Sequence, residues 1–280
     1  MAGARGRSGY KRLVAPIAVL LAVLALGVAL HTIANARCFA LVGQSVCRVE
    51  TDRPLVALTF DDGPTELGVA ATLPVLAARG ARATFFLIGR EAEQRQQLVR
   101  QIVQAGHEIG NHSYSHRWMI GRGQGFMRSE IDRAHHVLVA AGAPAPRLFR
   151  PPYGKKLWGL PIALRDRGYR MIMIDVEEPT EADPRAYAAR LVREAKPGSI
   201  ILMHLMYRAN HVAREALPLV VEGLQARGFE IVTVGELLAA GSQRGAMASP
   251  SPLRPAGRRP STRPLATSTS ATRSIPVSAT

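Results

Sequence analysis

The sequence predicts an α/β fold in which short strands alternate with helices around a mostly parallel sheet. Between residues 53 and 240, short runs rich in β-branched and aromatic residues alternate with segments of helical period. A glycine stands just after each of five helical segments, and each of these stops leads into an apolar run. A chain of 280 residues is long enough for one large domain with additional terminal segments.

The strands are predicted from apolar runs. The clearest are Leu55–Phe60, Ala83–Ile88, Tyr169–Val176, Ile200–His204 and Phe229–Val234. Two weaker runs lie at Arg147–Arg150 and Glu108–Gly110. Because helix-length segments separate these runs, they are typical of β/α units.

Helices are predicted from the spacing of apolar residues between the strands. The predicted segments are Glu91–Ala105, Ser129–Ala141, Tyr187–Ala195 and Val212–Arg227. Ser129 is a suitable N-cap for the second of them. The glycines expected to follow helices in the left-handed conformation are Gly80, Gly106, Gly142, Gly168 and Gly228.

The N-terminal part of the chain has the composition of a membrane-targeting segment. Residues 1–12 form a basic end that we expect in the cytoplasm, and residues 13–30 are an uncharged run. At about 1.5 Å per residue, this run nearly crosses a hydrocarbon core of roughly 30 Å. We therefore predict a transmembrane signal anchor at residues 13–33, with the following domain outside the cytoplasm. A cleaved signal peptide is the alternative, because Ala34-Asn35-Ala36 resembles a cleavage site.

Cys38 and Cys47 are the two cysteines of the chain, and both lie in a linker predicted at residues 34–52. In an exported chain they can form a disulfide that closes a short loop, and two free thiols are the alternative. Their spacing and number exclude a thiolate metal site.

The formal charge of +15 comes mainly from the two ends of the chain. Residues 241–280 contain six arginines and no acid, with few large apolar side chains, so we expect a disordered basic tail. Residues 13–240 hold 26 of the 36 basic side chains and all 21 acidic ones. The folded part is thus only mildly basic, and no nucleic-acid partner is expected. The oligomeric state is left open.

Two adjacent carboxylates, Asp61 and Asp62, stand at the end of the first strong strand and are followed by Gly63-Pro64. His112 and His116 follow a weak strand about fifty residues later. One carboxylate and two imidazoles form a three-ligand site with room for water, which is typical of a catalytic metal. Zinc suits these donors, as do cobalt and other divalent cations. A simple turn is the alternative for the Asp-Asp-Gly-Pro segment.

More polar side chains stand at the ends of other predicted strands. They are Arg150, Tyr153, Asp175 and His204. Because the carboxyl ends of parallel strands open on one face of a β/α barrel, we expect these groups to gather with the metal ligands.

Four segments resemble the motifs of polysaccharide deacetylases of the NodB-homology type, carbohydrate esterase family 4. They are Thr-Phe-Asp-Asp-Gly-Pro (59–64), His-Ser-Tyr-Ser-His (112–116), Arg-Pro-Pro-Tyr-Gly (150–154) and Leu-Met-His (202–204). The resemblance implies a distorted (β/α) barrel over residues 53–240 and a divalent metal, usually zinc. It also implies hydrolysis of N-acetyl groups from polymers that contain N-acetylglucosamine. The expected partner is an amino-sugar glycan such as peptidoglycan, a chitin-like oligomer or an exopolysaccharide.

The resemblance assigns roles to particular residues. The positions that match metal ligands are Asp62, His112 and His116. Asp61 matches the general base and Arg150 the residue that orients it. Tyr153 would donate its backbone N–H to the oxyanion, and His204 matches the general acid.

One segment departs from the family pattern. The family usually has an Asp-Trp pair after the strand that precedes the His204 strand, where the Asp tunes the histidine and the Trp forms a wall of the acetyl pocket. Residues 174–184 contain no tryptophan, and the candidates for the acid are Asp175, Glu177 and Asp183. Asp175 or Glu177 is predicted to replace the missing acid and to raise the pKa of His204, because both lie near the strand end. The missing tryptophan leaves the substrate open.

Other functions are compatible with these residues. An iron(II) oxygenase also uses two histidines and a carboxylate, although the ligand order here does not resemble that class. The altered Asp-Trp segment also leaves open a hydrolase of a small or lipid-linked sugar amide, or a non-catalytic glycan-binding module.

Overall fold

The structure, a computed structural model, describes residues 7–248, with side chains described for residues 16–242. The strands are β1 (Ser45–Val46), β2 (Leu55–Asp61), β3 (Thr84–Leu87), β4 (Glu108–Asn111), β5 (Leu148–Phe149), β6 (Arg170–Ile172), β7 (Ile200–His204) and β8 (Glu230–Val232). They pair in parallel in the order β1-β6-β5-β4-β3-β2-β7, with β8 beside the N-terminal part of β2. The sheet curls until Val176, just beyond β6, bridges Ile201 of β7. This arrangement is the distorted barrel that the resemblance implies.

The described residues also form helices, most of which pack on the outside of the sheet. They are α1 (Arg7–Asn35), α2 (Glu66–Ala78), α3 (Gly89–Gln94), α4 (Gln96–Gln104), α5 (Gln124–Ala140), α6 (Gly159–Arg165), α7 (Pro184–Glu194), α8 (His211–Ala226) and α9 (Val234–Ala248). Single helical turns lie at Pro152–Gly154 and Arg208–Asn210.

Strand β2 lies at the centre of the fold, and all seven of its residues are buried. A parallel strand that is covered on both faces must be apolar on both, which explains its continuous apolar run. Alternate residues such as Leu58 and Phe60 pack in a cluster with α2, α4, α7 and α8. The residues between them, such as Ala57, pack with inward-facing residues of other strands and with α9.

Several predicted elements have different bounds in the structure. The segment Glu91–Ala105 contains two helices, α3 and α4, because the backbone leaves the helical conformation at Arg95, where φ is −135°. Helix α5 begins at Gln124 after Gly123, so the prediction of Ser129 as an N-cap is wrong. Helix α2 was not predicted because it is apolar on most faces and contains Pro74.

The predicted glycine stops are confirmed. Gly80, Gly106, Gly142, Gly168 and Gly228 all have positive φ. Gly142 has a φ of +100°, a backbone conformation that residues with a side chain rarely adopt. This position therefore requires glycine.

The N-terminal helix α1 has the length and composition of a membrane span. Within the described residues, Pro16–Asn35 forms a helical stretch of mean hydropathy 2.5, long enough to cross a membrane. A signal sequence near the N-terminus has the same properties, so the finding agrees with both predicted alternatives.

The predictions for the two ends of the domain have different outcomes. Cys38 and Cys47 form the disulfide that was predicted as one alternative. At the other end, α9 continues to Ala248, past the predicted start of the tail at Gly241. The rest of the predicted tail, like residues 1–6 of the basic end, lies outside the described residues.

Candidate active site

The carboxyl ends of neighbouring strands bring the predicted polar side chains to one face of the barrel. Asp61 ends β2 and is paired in register with His204, which ends β7. Asn111 ends β4 and is paired with Phe149 of β5. His112 and Arg150, the residues that follow, therefore leave the sheet side by side.

Asp62, His112 and His116 place one carboxylate oxygen and two imidazole nitrogens within 4.8 Å of one another. Nε2 of His116 lies 3.5 Å and Nε2 of His112 lies 3.8 Å from Oδ1 of Asp62. This oxygen is buried and accepts no hydrogen bond from any described residue. A buried acceptor without a partner is costly, and a cation between these three atoms would satisfy it. Two nitrogens and one oxygen fit zinc and similar divalent cations.

The two imidazoles are prepared to act as neutral ligands. Nδ1 of His112 lies 2.7 Å from the carbonyl oxygen of Arg150. Since only a protonated Nδ1 can donate to a carbonyl, the lone pair of His112 falls on Nε2, which faces Asp62. Burial lowers the pKa of His112 to about 4 and also lowers the pKa of His116. Both rings are therefore neutral at pH 7.

Loop backbone at this face adopts a conformation that residues other than glycine rarely take. The residues with positive φ are Asp62, Ser113, His116 and Tyr153. Each such residue costs on the order of 1 kcal/mol or more, and strain of this kind clusters at functional sites. Here it turns two of the three candidate ligands, Asp62 and His116, towards a common centre.

Asp61 is held as a carboxylate by a buried arginine. Nη1 of Arg150 lies 2.7 Å from Oδ1 of Asp61 and 2.8 Å from Oγ1 of Thr59, and the guanidinium lies over the Phe86 ring. Burial acts to raise the pKa of Asp61, but the charges of Arg150, His112 and His204 hold this pKa below its usual value. The predicted contact between Arg150 and Asp61 is therefore confirmed.

Glu178 is the acid that contacts His204, so the prediction of Asp175 or Glu177 for this contact is wrong. Oε1 of Glu178 lies 2.7 Å from Nδ1 of His204, and its Oε2 accepts from the backbone N–H of His204 at 2.8 Å. Burial acts to lower the pKa of His204, but the hydrogen bond to Glu178 and the nearby carboxylates raise it to about 9. His204 is therefore protonated at pH 7, with its Nδ1 held by Glu178.

The two acids that were predicted in this role bind elsewhere. Asp175 accepts hydrogen bonds from the hydroxyl of Ser199 and the backbone N–H of Ile200, each at 2.8 Å. Since Ile200 begins β7 and His204 ends it, Asp175 lies about 13 Å along the strand from the histidine. Glu177 pairs with Arg37 in the linker.

Known proteins resemble this chain over most of the barrel. The sequence profile of the polysaccharide deacetylase family matches residues 48–172. The chain is 31% identical to a chitooligosaccharide deacetylase of Sinorhizobium fredii, over 67% of this chain and 94% of that protein.

The chain belongs to the polysaccharide deacetylase family.

Other members of the family show the same likeness. A peptidoglycan-N-acetylglucosamine deacetylase of Bacillus cereus is 29% identical, over 70% of this chain and 93% of that protein. A bifunctional xylanase/deacetylase of Pseudobutyrivibrio xylanivorans is 32% identical, but the matched region spans only 31% of that longer protein.

Solved structures of related proteins have a similar fold. A family 4 carbohydrate esterase from Streptomyces lividans, in complex with acetate, has a TM-score of 0.60 and 34% identity, covering 65% of this chain and 93% of that one. A family 4 pseudoenzyme from Bacillus anthracis has a TM-score of 0.64 and 27% identity, covering 69% and 68%. The fold of the deacetylase family therefore occurs in members with and without activity.

Tyr153 lies at the open side of this deacetylase-family site. Its ring is exposed, with its centroid 4.7 Å from that of His116 and 5.6 Å from that of Trp118. The predicted role of its backbone N–H towards an oxyanion stays a prediction.

The loop that carries His112 and His116 is supported from α5 by Glu130, a residue that the motifs did not indicate. The buried carboxylate of Glu130 accepts from the backbone N–H and the hydroxyl of Ser115, each at 2.8 Å. Oγ of Ser113 accepts from the backbone N–H of His116 at 3.0 Å. These hydrogen bonds fix the loop between the two histidines.

Proposed function

We propose that this protein removes N-acetyl groups from glycans that contain N-acetylglucosamine, by metal-dependent hydrolysis outside the cytoplasm. One observation carries the proposal: the buried, unpartnered carboxylate oxygen of Asp62 faces two neutral imidazole nitrogens. Membership of the deacetylase family and the named activities of the relatives support it, since those relatives act on peptidoglycan and chitooligosaccharides.

Asp62, His112 and His116 are the residues that would hold the metal, which we propose to be zinc, with cobalt as another suitable ion. A divalent cation in this position would supply a Lewis acid for the scissile carbonyl and would lower the pKa of a water molecule. Asp62 gains most from it, because burial raises the pKa of the free carboxyl to about 6.

The other polar residues divide the proton transfers between them. Asp61, kept ionised by Arg150, takes a proton from the attacking water as general base. His204, kept protonated beside Glu178, gives a proton from Nε2 to the leaving amine. Asp61 and His204 are register partners at the ends of β2 and β7 and therefore lie next to each other at the same face of the barrel. Opposite pKa shifts in two neighbouring groups are typical of an acid–base pair.

Tyr153 is proposed, from its place in the motif, to donate its backbone N–H to the developing oxyanion. Such a donor stabilises charge that exists only in the transition state. The ring of Tyr153 is exposed beside His116 and can contact a bound sugar.

The experiment is product analysis by mass spectrometry on a panel of N-acetylated glycans, which includes chitin oligomers, peptidoglycan fragments and an exopolysaccharide. We expect loss of one or more acetyl groups, inhibition by a chelator and recovery when zinc is added. Asp61→Asn should lower the rate by about 10²-fold or more while the metal stays bound. Asp62→Asn should instead lose the metal.

A non-catalytic glycan-binding module is the second candidate, because the family includes a pseudoenzyme. It predicts glycan affinity that survives in Asp61→Asn, with no turnover before the substitution. A hydrolase of a small or lipid-linked sugar amide would instead act on short or lipid-carried substrates and not on polymers. If the zinc-loaded protein releases acetate from nothing in the panel, the deacetylase proposal is wrong.

A further inference from the structure

The last turn of helix α1 packs against the catalytic domain, although the rest of the helix does not. All residues from 16 to 29 are exposed, whereas Ala34 is only 7% exposed. The backbone N–H of Lys156 donates to the carbonyl of Ala34, and its ammonium group donates to the carbonyl of Ala36. The helix end is therefore fixed to the domain rather than joined by a loose linker.

The surface beside this contact forms a rim of aromatic, aliphatic and basic side chains. We call it the helix-side rim; its members are Trp118, Ile120, Lys155, Leu157 and Trp158. All except Trp158 line a cavity of about 240 Å³ whose opposite wall is the end of α1, from Leu30 to Asn35. Trp158 lines the adjoining cavity together with three other members of the rim.

The position of the helix-side rim relative to the membrane follows from its contact with α1. Leu30 precedes the end of α1 by five residues, or about 7.5 Å along the helix axis. If α1 spans the membrane, side chains beside Leu30 lie at the level of the lipid headgroups. Tryptophan is enriched at that level, and basic residues are favoured against anionic headgroups. Trp118 and Trp158 are 46% and 52% exposed, although both are large and apolar.

The charge of the two segments that form the rim suits the same surface. Residues 117–128 contain three exposed arginines and no acid. Residues 150–160 contain no acid either, and Lys155 is their one basic side chain that is not buried, since Arg150 and Lys156 are 3% and 2% exposed. A basic surface with exposed tryptophans at the exit of an apolar helix fits an anionic lipid surface.

The rim is continuous with the candidate active site. The Trp118 ring lies 5.6 Å from the Tyr153 ring, which lies 4.7 Å from the ring of His116. Lys155 follows Tyr153 by two residues, and Trp118 follows His116 by two. Any surface that covers the rim therefore lies beside the entrance to the site.

We propose that the helix-side rim rests in the headgroup layer of the membrane that holds α1, and that the site acts on N-acetylated amino sugars held at that membrane surface. This inference rests on the proposed deacetylase function and on an uncleaved α1. The substrate would be an acetamido sugar close to the bilayer. A sugar carried on a lipid and a glycan strand that emerges from the membrane have this group in common.

Tryptophan fluorescence tests the position of the rim without any measurement of activity. Trp118 and Trp158 are the two tryptophans of the chain, so its tryptophan emission reports on the rim alone. The full chain is placed in vesicles of equal parts phosphatidylcholine and phosphatidylglycerol, with plain or brominated acyl chains. We expect brominated lipid to reduce the emission roughly twofold, because tryptophans in the interface lie next to the upper acyl chains. Trp118→Phe and Trp158→Phe assign the quenching to each ring. Unchanged emission from the inserted chain would overturn the proposal.

Activity in the same vesicles tests the substrate class. One N-acetylglucosamine oligomer is supplied either free or joined to a lipid, to the wild-type chain and to a Lys155→Glu/Trp158→Ser double variant. We expect the double variant to lose about tenfold in rate on the lipid-joined oligomer and to keep its rate on the free one. Leu219→Ser, which changes an exposed apolar residue of α8, should alter neither rate.

The outcomes separate the two proposals. Equal rates of the wild type and the double variant on the lipid-joined oligomer would refute the membrane-held substrate. A wild-type chain that is inactive on both oligomers would refute the proposed deacetylation, while lipid quenching would still decide whether the rim contacts the bilayer.

Discussion

The adjacent residues Asp61 and Asp62 have opposite electrostatic environments. Asp61 is ion-paired with Arg150, which keeps its pKa below the usual value, whereas burial raises the pKa of the unpaired Asp62 to about 6. The positive φ of Asp62 explains the difference, because it turns the second side chain away from the arginine and towards the histidines. One carboxylate thus stays ionised beside a cationic side chain, and the other faces two imidazoles, as the proposed base and metal ligand require.

At the same scale, Glu178 is expected to set the alkaline limit of activity. A general acid works only while protonated, so activity should fall as pH rises through the pKa of His204, which is raised to about 9. Glu178→Gln removes the charge that stabilises the protonated ring, while burial, which lowers the pKa, remains. The basic limb of the pH–rate profile should therefore move to lower pH by about one unit or more.

Two neighbouring acids provide matched controls for this profile. Glu177→Gln changes an acid that pairs with Arg37, and Asp175→Asn changes one that binds the start of β7. Both should leave the basic limb where it is. An unmoved limb in Glu178→Gln, or an equal shift in Glu177→Gln, would contradict the assignment.

At the scale of elements, helix α5 holds the loop that carries the two histidines. Glu130→Ala removes the acceptor of two hydrogen bonds from Ser115 and leaves a partly buried backbone N–H without this partner. We expect zinc affinity to fall about 10- to 100-fold, as is typical when a group that supports metal ligands is lost. Competition with a fluorescent chelator measures this affinity.

A second acid that contacts the same loop, from helix α3, provides the control for Glu130. Glu93 accepts from the hydroxyl of Tyr114 and is exposed, so Glu93→Ala should leave zinc affinity unchanged. Glu130→Gln keeps an acceptor and should recover part of the affinity. Wild-type affinity in Glu130→Ala would show that the loop needs no support from α5.

Strand β4 approaches its neighbour so closely that Gly110 cannot carry a side chain. A methyl group at this position would lie 2.4 Å from the Phe86 ring, which in turn lies under the guanidinium of Arg150. Gly110→Ala should therefore lower the free energy of unfolding by about 1–3 kcal/mol, as overpacking of a core does. Denaturant unfolding measures the change.

The matched control is a glycine with free space around it. A methyl group at Gly125, in the first turn of α5, meets no atom within 4 Å. Gly125→Ala should be neutral or slightly stabilising, because alanine favours the helix. Equal stabilities of the two variants would argue against close packing at Gly110.

At the scale of the whole molecule, α1 is the candidate membrane span. We expect the mature chain to keep α1, to stay in the membrane fraction after an alkaline carbonate wash and to have the mass of an uncleaved protein, because its apolar run is long for a cleavable signal. Ala36→Leu, which would block cleavage after Ala36, should leave that mass unchanged. A mature N-terminus at Arg37 would contradict the anchor and would also remove the helix beside the rim.

The sequence predicted most of the fold because strands and helix stops depend on neighbouring residues. The apolar run of β2 and the glycines after helices follow from local rules of burial and backbone conformation, and both are found where expected. Helix α2 was missed because an element that is apolar on most faces has no period to detect.

By itself, the sequence determined which residues gather at the active face, because a parallel sheet brings its strand ends together. The motifs therefore sufficed for Asp61, Asp62, His112, His116, Arg150 and His204. Only the tertiary structure decided that Glu178, rather than Asp175 or Glu177, contacts His204. It also decided that Glu130 supports the loop between His112 and His116 and that the helix end lies beside the rim. These contacts join distant segments through loops without a regular period, so their direction depends on the packing of the folded chain.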